Sequence, residues 1–515
     1  MTLPWGANQD LNEVRKKLDE QITDLRSQLR ILCATRNALT PINRVPPEIL
    51  SRIFSYVQDS FIKQEDGWEI GIPSNFINWT WVSHVSQYWR NVALECASLW
   101  TIIPLNKTRY AEEAFLRSKA CNITLLQTED ISTTEHINLS RIATGHLNRA
   151  RHIHLKQLGC PPQGYLEFIR SQPTPVLKTL SLSGNWFFLQ EKPFIGEIPQ
   201  LQTLLLRFCA FDPRSIVFRS LKHLSISSPR SYLSPSTLAE TLGSLPNLVS
   251  LHLCNTLSNA PDPSQSSLGT VIIPNITSLS LQDHKTDLTI RLFTPLRFLK
   301  PVHLKINNSF YEERPDFPTL LRTFSASIAQ AELPPIRRME FSFRSSFRFE
   351  MCHSVKILEK TIISIMMTRV PRFIRENPTE WLRSLEVLPL QEVVYLSVTA
   401  KVNAQLWKNM LPRFSALEHL RVTGSGGRAF LNCLVDESKD SHQTPETTSI
   451  IPKVNRINLR DIPFEGLPDD DWIEIFRTRQ ERGIGVKKLR VIQPGDTVVP
   501  ALARIKDIVE CVETK

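Results

Sequence analysis

A nine-residue phrase, Leu177-Lys-Thr-Leu-Ser-Leu-Ser-Gly-Asn185, returns as Leu201-Gln-Thr-Leu-Leu-Leu-Arg-Phe-Cys209. Shorter copies begin at Ala150, Leu221, Leu248, Ile276, Leu299, Ile336, Val393, Leu417, Val454 and Val486. In each copy two apolar residues flank a single residue, usually polar, which is the period of a strand with one buried face. Early copies recur every 20 to 28 residues or so, and later gaps widen past 30. A unit of that size cannot bury its own leucines. It has to share them with neighbours, so the copies predict an α/β chain of short strands stacked one on the next and joined by helical or irregular returns.

The pattern LxxLxLxxN/C is the leucine-rich-repeat signature, and residues 104–515 resemble an irregular member of that family. The resemblance implies a solenoid of curved parallel strands, with Asn185 and Cys209 satisfying turn amides where the full signature is kept. Polar segments at 255–270 and 435–450 predict surface insertions or mobile loops. Proline-rich returns (Pro161-Pro162, Pro173, Pro175, Pro334-Pro335) predict extended connections over long helices. On such strands the residue between the last two apolar positions, and the one after it, faces the concave side. Those positions hold His154, Lys156, Arg207, His252, His303, Lys305, Arg421, Asn458, Arg460 and Arg490. The set leans basic, like the whole chain with its formal charge of +10. It is a candidate surface for an acidic or phosphorylated protein substrate. A solvated strand face would carry similar charge, and Ser181, Ser225 and Ser280 interrupt the stripe.

Ahead of the repeats stands Val45-Pro-Pro-Glu-Ile-Leu-Ser-Arg-Ile-Phe54, answered by His84-Val-Ser-Gln-Tyr-Trp-Arg90 and closed by Leu99-Trp100. Pro46 and Pro47 suit a helix start, where the amide has no partner to lose. Ile49, Leu50, Ile53, Phe54 and Val57 follow at helical spacing, and Val82, Val85, Trp89, Val92 and Ala93 form a second apolar run. Residues 41–103 resemble the F-box, and the F-box-like variant abundant in mushroom-forming fungi, with a long loop inserted at 58–78. The resemblance implies a small all-α domain that binds a Skp-type adaptor, and through it the cullin scaffold of an SCF ubiquitin ligase. The adaptor-facing positions would be Pro46, Ile49, Leu50, Ile53, Phe54, Val85, Trp89, Arg90 and Trp100. The alternative is that these helices only cap a repeat array that acts as a protein-interaction scaffold, since every such array needs a cap.

Residues 1–40 carry heptads. Leu11, Leu18, Leu25, Leu32 and Leu39 fall seven apart, with Arg15, Ile22, Leu29 and Arg36 at the alternate seam positions. This predicts one long helix that either forms a homodimer through residues 11–39 or folds back on the rest of the chain. No HExxH, nucleophile elbow, phosphate loop or metal-ligand spacing is present, so the expectation is a protein that is not an enzyme and needs no cofactor or metal. The nine cysteines are unpatterned, which suits reduced thiols and a cytoplasmic or nuclear location. The N-terminal stretch has no basic segment leading into an apolar one, so no secretory signal is expected, and no apolar run is long enough to span a bilayer. Aromatic and basic residues do not interleave as in nucleic-acid modules, which disfavours a nucleic-acid partner.

Overall fold

Apolar alternation builds a strand wherever the phrase occurs: in the computed structural model all twelve copies are strands. The structure describes residues 5–65, 69–71, 75–127, 141–156, 171–184, 188–189, 198–213, 218–260, 269–309, 312, 315–331, 334–343, 346–355, 361–376, 378–443, 449–451, 453–462, 469–492 and 499–514. Two compact units divide the chain, Met1–Trp186 with Pro193–Leu201, and Phe187–Lys192 with Gln202–Lys515.

The first unit begins with helix α1 (Trp5–Ala38), followed by a 3-10 turn at Pro41–Arg44 and helix α2 (Pro47–Asp59). A 3-10 segment, Phe76–His84, leads to helix α3 (Gln87–Glu95) and a last 3-10 turn, Ala97–Trp100. The unit also holds four parallel strands, Ile102–Pro104, Ile123–Gln127, Ala150–Lys156 and Thr179–Ser183, with the helix Thr108–Arg117 between the first two. Two expectations are corrected here. The run from Val82 to Ala93 is not one helix, because Ser86 takes an extended conformation and its Oγ caps α3 by accepting from the Trp89 N–H. The inserted segment 58–78 is not all loop: Gln58 and Asp59 end α2, and Lys63–Glu65 pairs antiparallel with Glu69–Gly71.

In the second unit the strands Thr203–Arg207, His223–Ser227, Ser250–Cys254, Ser278–Gln282 and His303–Asn308 pair parallel in chain order. The copy read from Leu299 sits in a frame two residues later, since Leu304 lies opposite Leu279. A further run pairs Tyr395–Thr399, His419–Thr423, Arg456–Arg460, Lys488–Ile492 and Cys511–Thr514. Between the two runs the order is inverted. Arg338–Phe343 lies beside Tyr395–Thr399, Phe347–Cys352 runs back antiparallel, and Thr361–Met367 closes onto His303–Asn308. This meander accounts for the widest gap between copies, which lies between Ile336 and Val393. The ladder does not close. Among the described residues, Cys511–Thr514 pairs only with Lys488–Ile492.

Six of the strands end in the same way. The residue after the strand has positive φ at Phe208, Ser228, Asn255, Asp283, Gly424 and Asp461. Its N–H then extends the ladder to the next strand, as from Phe208 to the Ser227 carbonyl and from Asn255 to the Gln282 carbonyl. Five of the six are not glycine, so they hold an uncommon conformation that the in-register hydrogen bonds sustain. Gly424 makes the same bond, to the Arg460 carbonyl, and opens onto the helix Gly426–Gln443, where a Cβ at Gly426 would overlap the Ala400 carbonyl oxygen.

That helix corrects another expectation. Residues 435–443 are helical, because Phe430, Leu431, Cys433, Leu434 and Val435 form a buried face that outweighs the polar composition. Its neighbour Asp469–Glu481 begins at the acidic run, as the carboxylates there predict.

Candidate functional site

Helix α2 divides its apolar arc between core and surface. Leu50, Phe54 and Gln58 recur every four residues and are buried. Phe54 packs on Trp89 with ring centroids 5.2 Å apart, and Gln58 Nε2 donates to the Leu99 carbonyl at 2.8 Å, which ties α2 to the closing turn. Trp100 ends this turn, its ring 5.3 Å from Trp79 and 5.5 Å from Tyr110, and its indole N–H donates to the Ala93 carbonyl. The Trp79 indole donates to the Tyr110 hydroxyl at 3.1 Å, and Arg117 covers the outer face of Trp100. Desolvation pushes the Tyr110 phenol up, so it stays neutral as a hydrogen-bonding post. The Tyr88 hydroxyl donates to the Val45 carbonyl at 2.6 Å and fixes the entry to α2.

The residues expected to face an adaptor therefore separate into two groups. Leu50, Phe54 and Trp100 are buried within the helical unit, and Trp89 is half-buried against Phe54. The expected direct contact of Leu50, Phe54 and Trp100 with a partner is corrected, because these three side chains are inside the helical unit. Pro46, Ile49, Ile53, Val85 and Arg90 are exposed, with Ile49 at 51%, Ile53 at 39% and Val85 at 55%. Tyr56 and Trp81, exposed by 62% and 67%, and Ile42 are further large apolar side chains left exposed in this unit. Sequence reasoning missed these three. The signal was present, because Tyr56 continues the i, i+4, i+7 row of Ile49 and Ile53, and Trp81 precedes Val85 by four. Exposed large apolar side chains on α2 and on the segment Phe76–His84 that packs against it are a candidate surface for another protein.

The strand face of the second unit offers the other candidate. Its central row runs Ser225, His252, Ser280, Lys305, Ser364, Glu350, Glu340, Ser397, Arg421, Asn458, Arg490 and Glu513, each opposite the next. His303 lies in the adjacent row opposite Ser278, while Arg207 and Arg460 lie in the row on the other side. The stripe is not uniformly basic. The meander brings in Glu340 and Glu350, and Glu340 pairs with Arg338. Glu513 takes both Lys488 and Arg490, and Asp461 stands 3.6 Å from Arg460. Lys305 is exposed and Arg421 half-buried. In the first unit Lys156 is exposed, but His154 is buried and desolvation holds its pKa down at about 4, so it is uncharged at neutral pH.

Behind this face runs a polar chain at the position where the repeat pattern expects asparagine or cysteine. Asn185 lies outside the described residues. Cys209 is buried, with its thiol 3.2 Å from the Arg207 carbonyl. Thr256 and His284 occupy the same position in later copies, three residues beyond the last strand leucine. The Thr256 hydroxyl donates between the Ile226 and Cys254 carbonyls, and its N–H donates to His284 Nε2 at 2.9 Å. Asn308 Nδ2 in turn donates to the His284 carbonyl at 3.1 Å. His284 is thus an acceptor whose proton sits on Nδ1, and burial holds its pKa at about 4.

That pKa has a sign. An unfolded histidine titrates near 6.5, so as pH falls the unfolded chain takes the proton first. The stability due to neutral His284 is intact above about pH 6.5, is lost on the way down to about pH 4, and changes little below that. Between pH 7 and pH 5 the loss should be on the order of 2 kcal/mol. Urea midpoints at the two pH values check this. A His284→Asn variant, which keeps an acceptor without a titrating group, should show a smaller pH difference; an unchanged difference would place the acid sensitivity elsewhere.

Among the described residues no helix is long and apolar enough to cross a membrane, and no group of three or more His, Cys, Asp or Glu could hold a metal ion. Compared with models of known protein families and with curated proteins, the chain matches none.

Proposed function

We propose that this chain is the substrate-recognition subunit of an SCF-type cullin-RING ubiquitin ligase, acting in the cytoplasm or nucleus. In this reading the F-box-like helices grip a Skp-type adaptor, and the strand face of an irregular leucine-rich-repeat domain holds a protein substrate. The supporting observation is the exposed row of Ile49, Ile53 and Tyr56 on a helix whose opposite flank is buried. Such a row stabilises a fold only when a partner covers it. The protein itself would carry no ubiquitin thioester. It would act by raising the effective concentration of target lysines near a charged enzyme.

The test is co-purification of the full chain with a Skp-type adaptor. Ile49→Asp/Ile53→Asp should weaken the complex about 30-fold or more while leaving the circular dichroism spectrum and melting temperature unchanged. Leu50 is unsuited to the test because it is fully buried. Retention of the adaptor by the double variant would defeat the proposal.

A second reading has one observation in its favour. The helical group is joined by Trp100, Tyr110 and Arg117 to the helix Thr108–Arg117, which follows the terminal strand Ile102–Pro104. The helices would then serve as the N-terminal cap of a protein-interaction scaffold. A well-folded chain that binds no adaptor would select that reading.

A further inference from the structure

Helix α1 presents an unpartnered seam. Leu11, Leu18, Ile22, Leu25, Leu29, Leu32 and Leu39 are between 44% and 68% exposed, so the alternative in which this helix folds back on the chain is not what the structure adopts. Leu39 lies just past the helix end, and the other six form a seam of the kind a second helix covers. Its charges say which helix, and in which direction.

Two parallel copies would place Arg15 against Arg15 and Arg36 against Arg36 within the apolar seam. They would also bring no opposite charges together along the flanks: Asp19 would face Val14, Arg26 would face Gln21 and Cys33 would face Gln28. Turning one copy around changes every layer. Ile22 then packs on Leu25, Leu18 on Leu29, Leu32 on Arg15 and Leu11 on Arg36, each contact occurring twice by symmetry. Each guanidinium then lies against a leucine in place of another arginine, so the long stem of arginine covers leucine while the charge stays in water. Asp19 of each copy meets Arg26 of the other, giving two ion pairs in place of none.

We propose that the chain self-associates as an antiparallel two-stranded coiled coil through residues 11–36, with a second copy of this chain as the occupant of the exposed seam. The inference is independent of whether an adaptor or a substrate binds elsewhere.

Sedimentation equilibrium of the full chain should show a dimer. Asp19→Arg should raise its dissociation constant about tenfold, and Asp19→Arg/Arg26→Asp should restore it. Within one helix these positions lie seven residues apart, about 10 Å along the axis, so rescue has to come from the other copy. Disulfide trapping reports direction. Asn12→Cys should form a dimer-linking bond with the native, exposed Cys33, whereas Gln28→Cys should not. Residues 12 and 33 of one helix are about 30 Å apart, which excludes an internal bond. Cys33→Ala in the Asn12→Cys background should abolish the crosslink. A chain that stays monomeric up to about 100 μM, against the micromolar range expected of a coil this long, overturns the proposal. So does crosslinking through Gln28→Cys in place of Asn12→Cys.

Discussion

Replacing Phe347 by alanine should cost about 3–5 kcal/mol, the range for emptying an aromatic site in a packed core. Phe347 is fully buried where the inverted meander meets the helix Phe317–Ser327. Its ring centroid lies 4.9 Å from Phe317, 5.3 Å from Phe341, 4.8 Å from Phe343 and 4.8 Å from Trp381. Three of these four contacts are edge-on, the arrangement in which aromatic quadrupoles attract, so the loss exceeds what buried area alone would give. The consequence is also topological. Arg338–Phe343, Phe347–Cys352 and Thr361–Met367 are the only strands that join His303–Asn308 to Tyr395–Thr399 among the described residues. Loosening them should break the cooperativity of the second unit, with faster hydrogen exchange in the meander and a shallower urea transition. Phe343→Leu, at the better exposed end of the cluster, should cost less than about 1.5 kcal/mol. A Phe347→Ala midpoint within about 1 kcal/mol of the parent would mean that the cluster does not carry the junction.

Arg479 should be nearly as sensitive, for an electrostatic reason. It lies buried between the helices Gly426–Gln443 and Asp469–Glu481, and pairs with Glu437 at 3.4 Å. Its two Nη groups also donate to the Ile451 carbonyl at 2.7 Å, the Ser449 hydroxyl at 3.0 Å and the Ile484 carbonyl at 3.4 Å. Arg479→Met would leave the buried Glu437 carboxylate without the guanidinium 3.4 Å away, with Arg482 at 3.9 Å as another cation among the described residues. The expected cost is about 3–5 kcal/mol. Because that penalty comes from the stranded charge, Arg479→Met/Glu437→Gln should recover most of it. Hydrogen exchange across residues 469–481 provides the readout, since the opening need not involve the whole unit. If the double variant is as unstable as the single one, the backbone contacts of Arg479 dominate over its charge pairing.

How far these features were legible in the sequence depends on how local their causes are. Leu180, Leu182, Leu204 and Leu206 alternate over a span shorter than one strand, so the pattern announces both the strand and its buried face without help from elsewhere. The strand Phe347–Cys352 alternates as clearly, yet it is no copy of the repeated phrase and runs in the opposite direction, which only its pairing with Glu340 and Ser364 decides. Ile102–Pro104 and Cys511–Thr514 are too short for any periodicity to register, and they are strands because a neighbour offers a ladder. His284 could not be read as a turn acceptor, since its role depends on an amide 28 residues away.

The candidate site shows the same division. Proline placement and helical spacing made α2 and its apolar arc a matter of sequence alone, and the heptads did the same for α1. Spacing defines an arc, however, without saying which flank of it meets the rest of the chain. Leu50 and Phe54 are inside, and Ile49 and Ile53 outside, because Trp89 and the Leu99 carbonyl arrive on one side, carried there by residues some forty positions away. Local periodicity determined what could be buried; burial itself was decided by contacts distant in sequence, which no local pattern records.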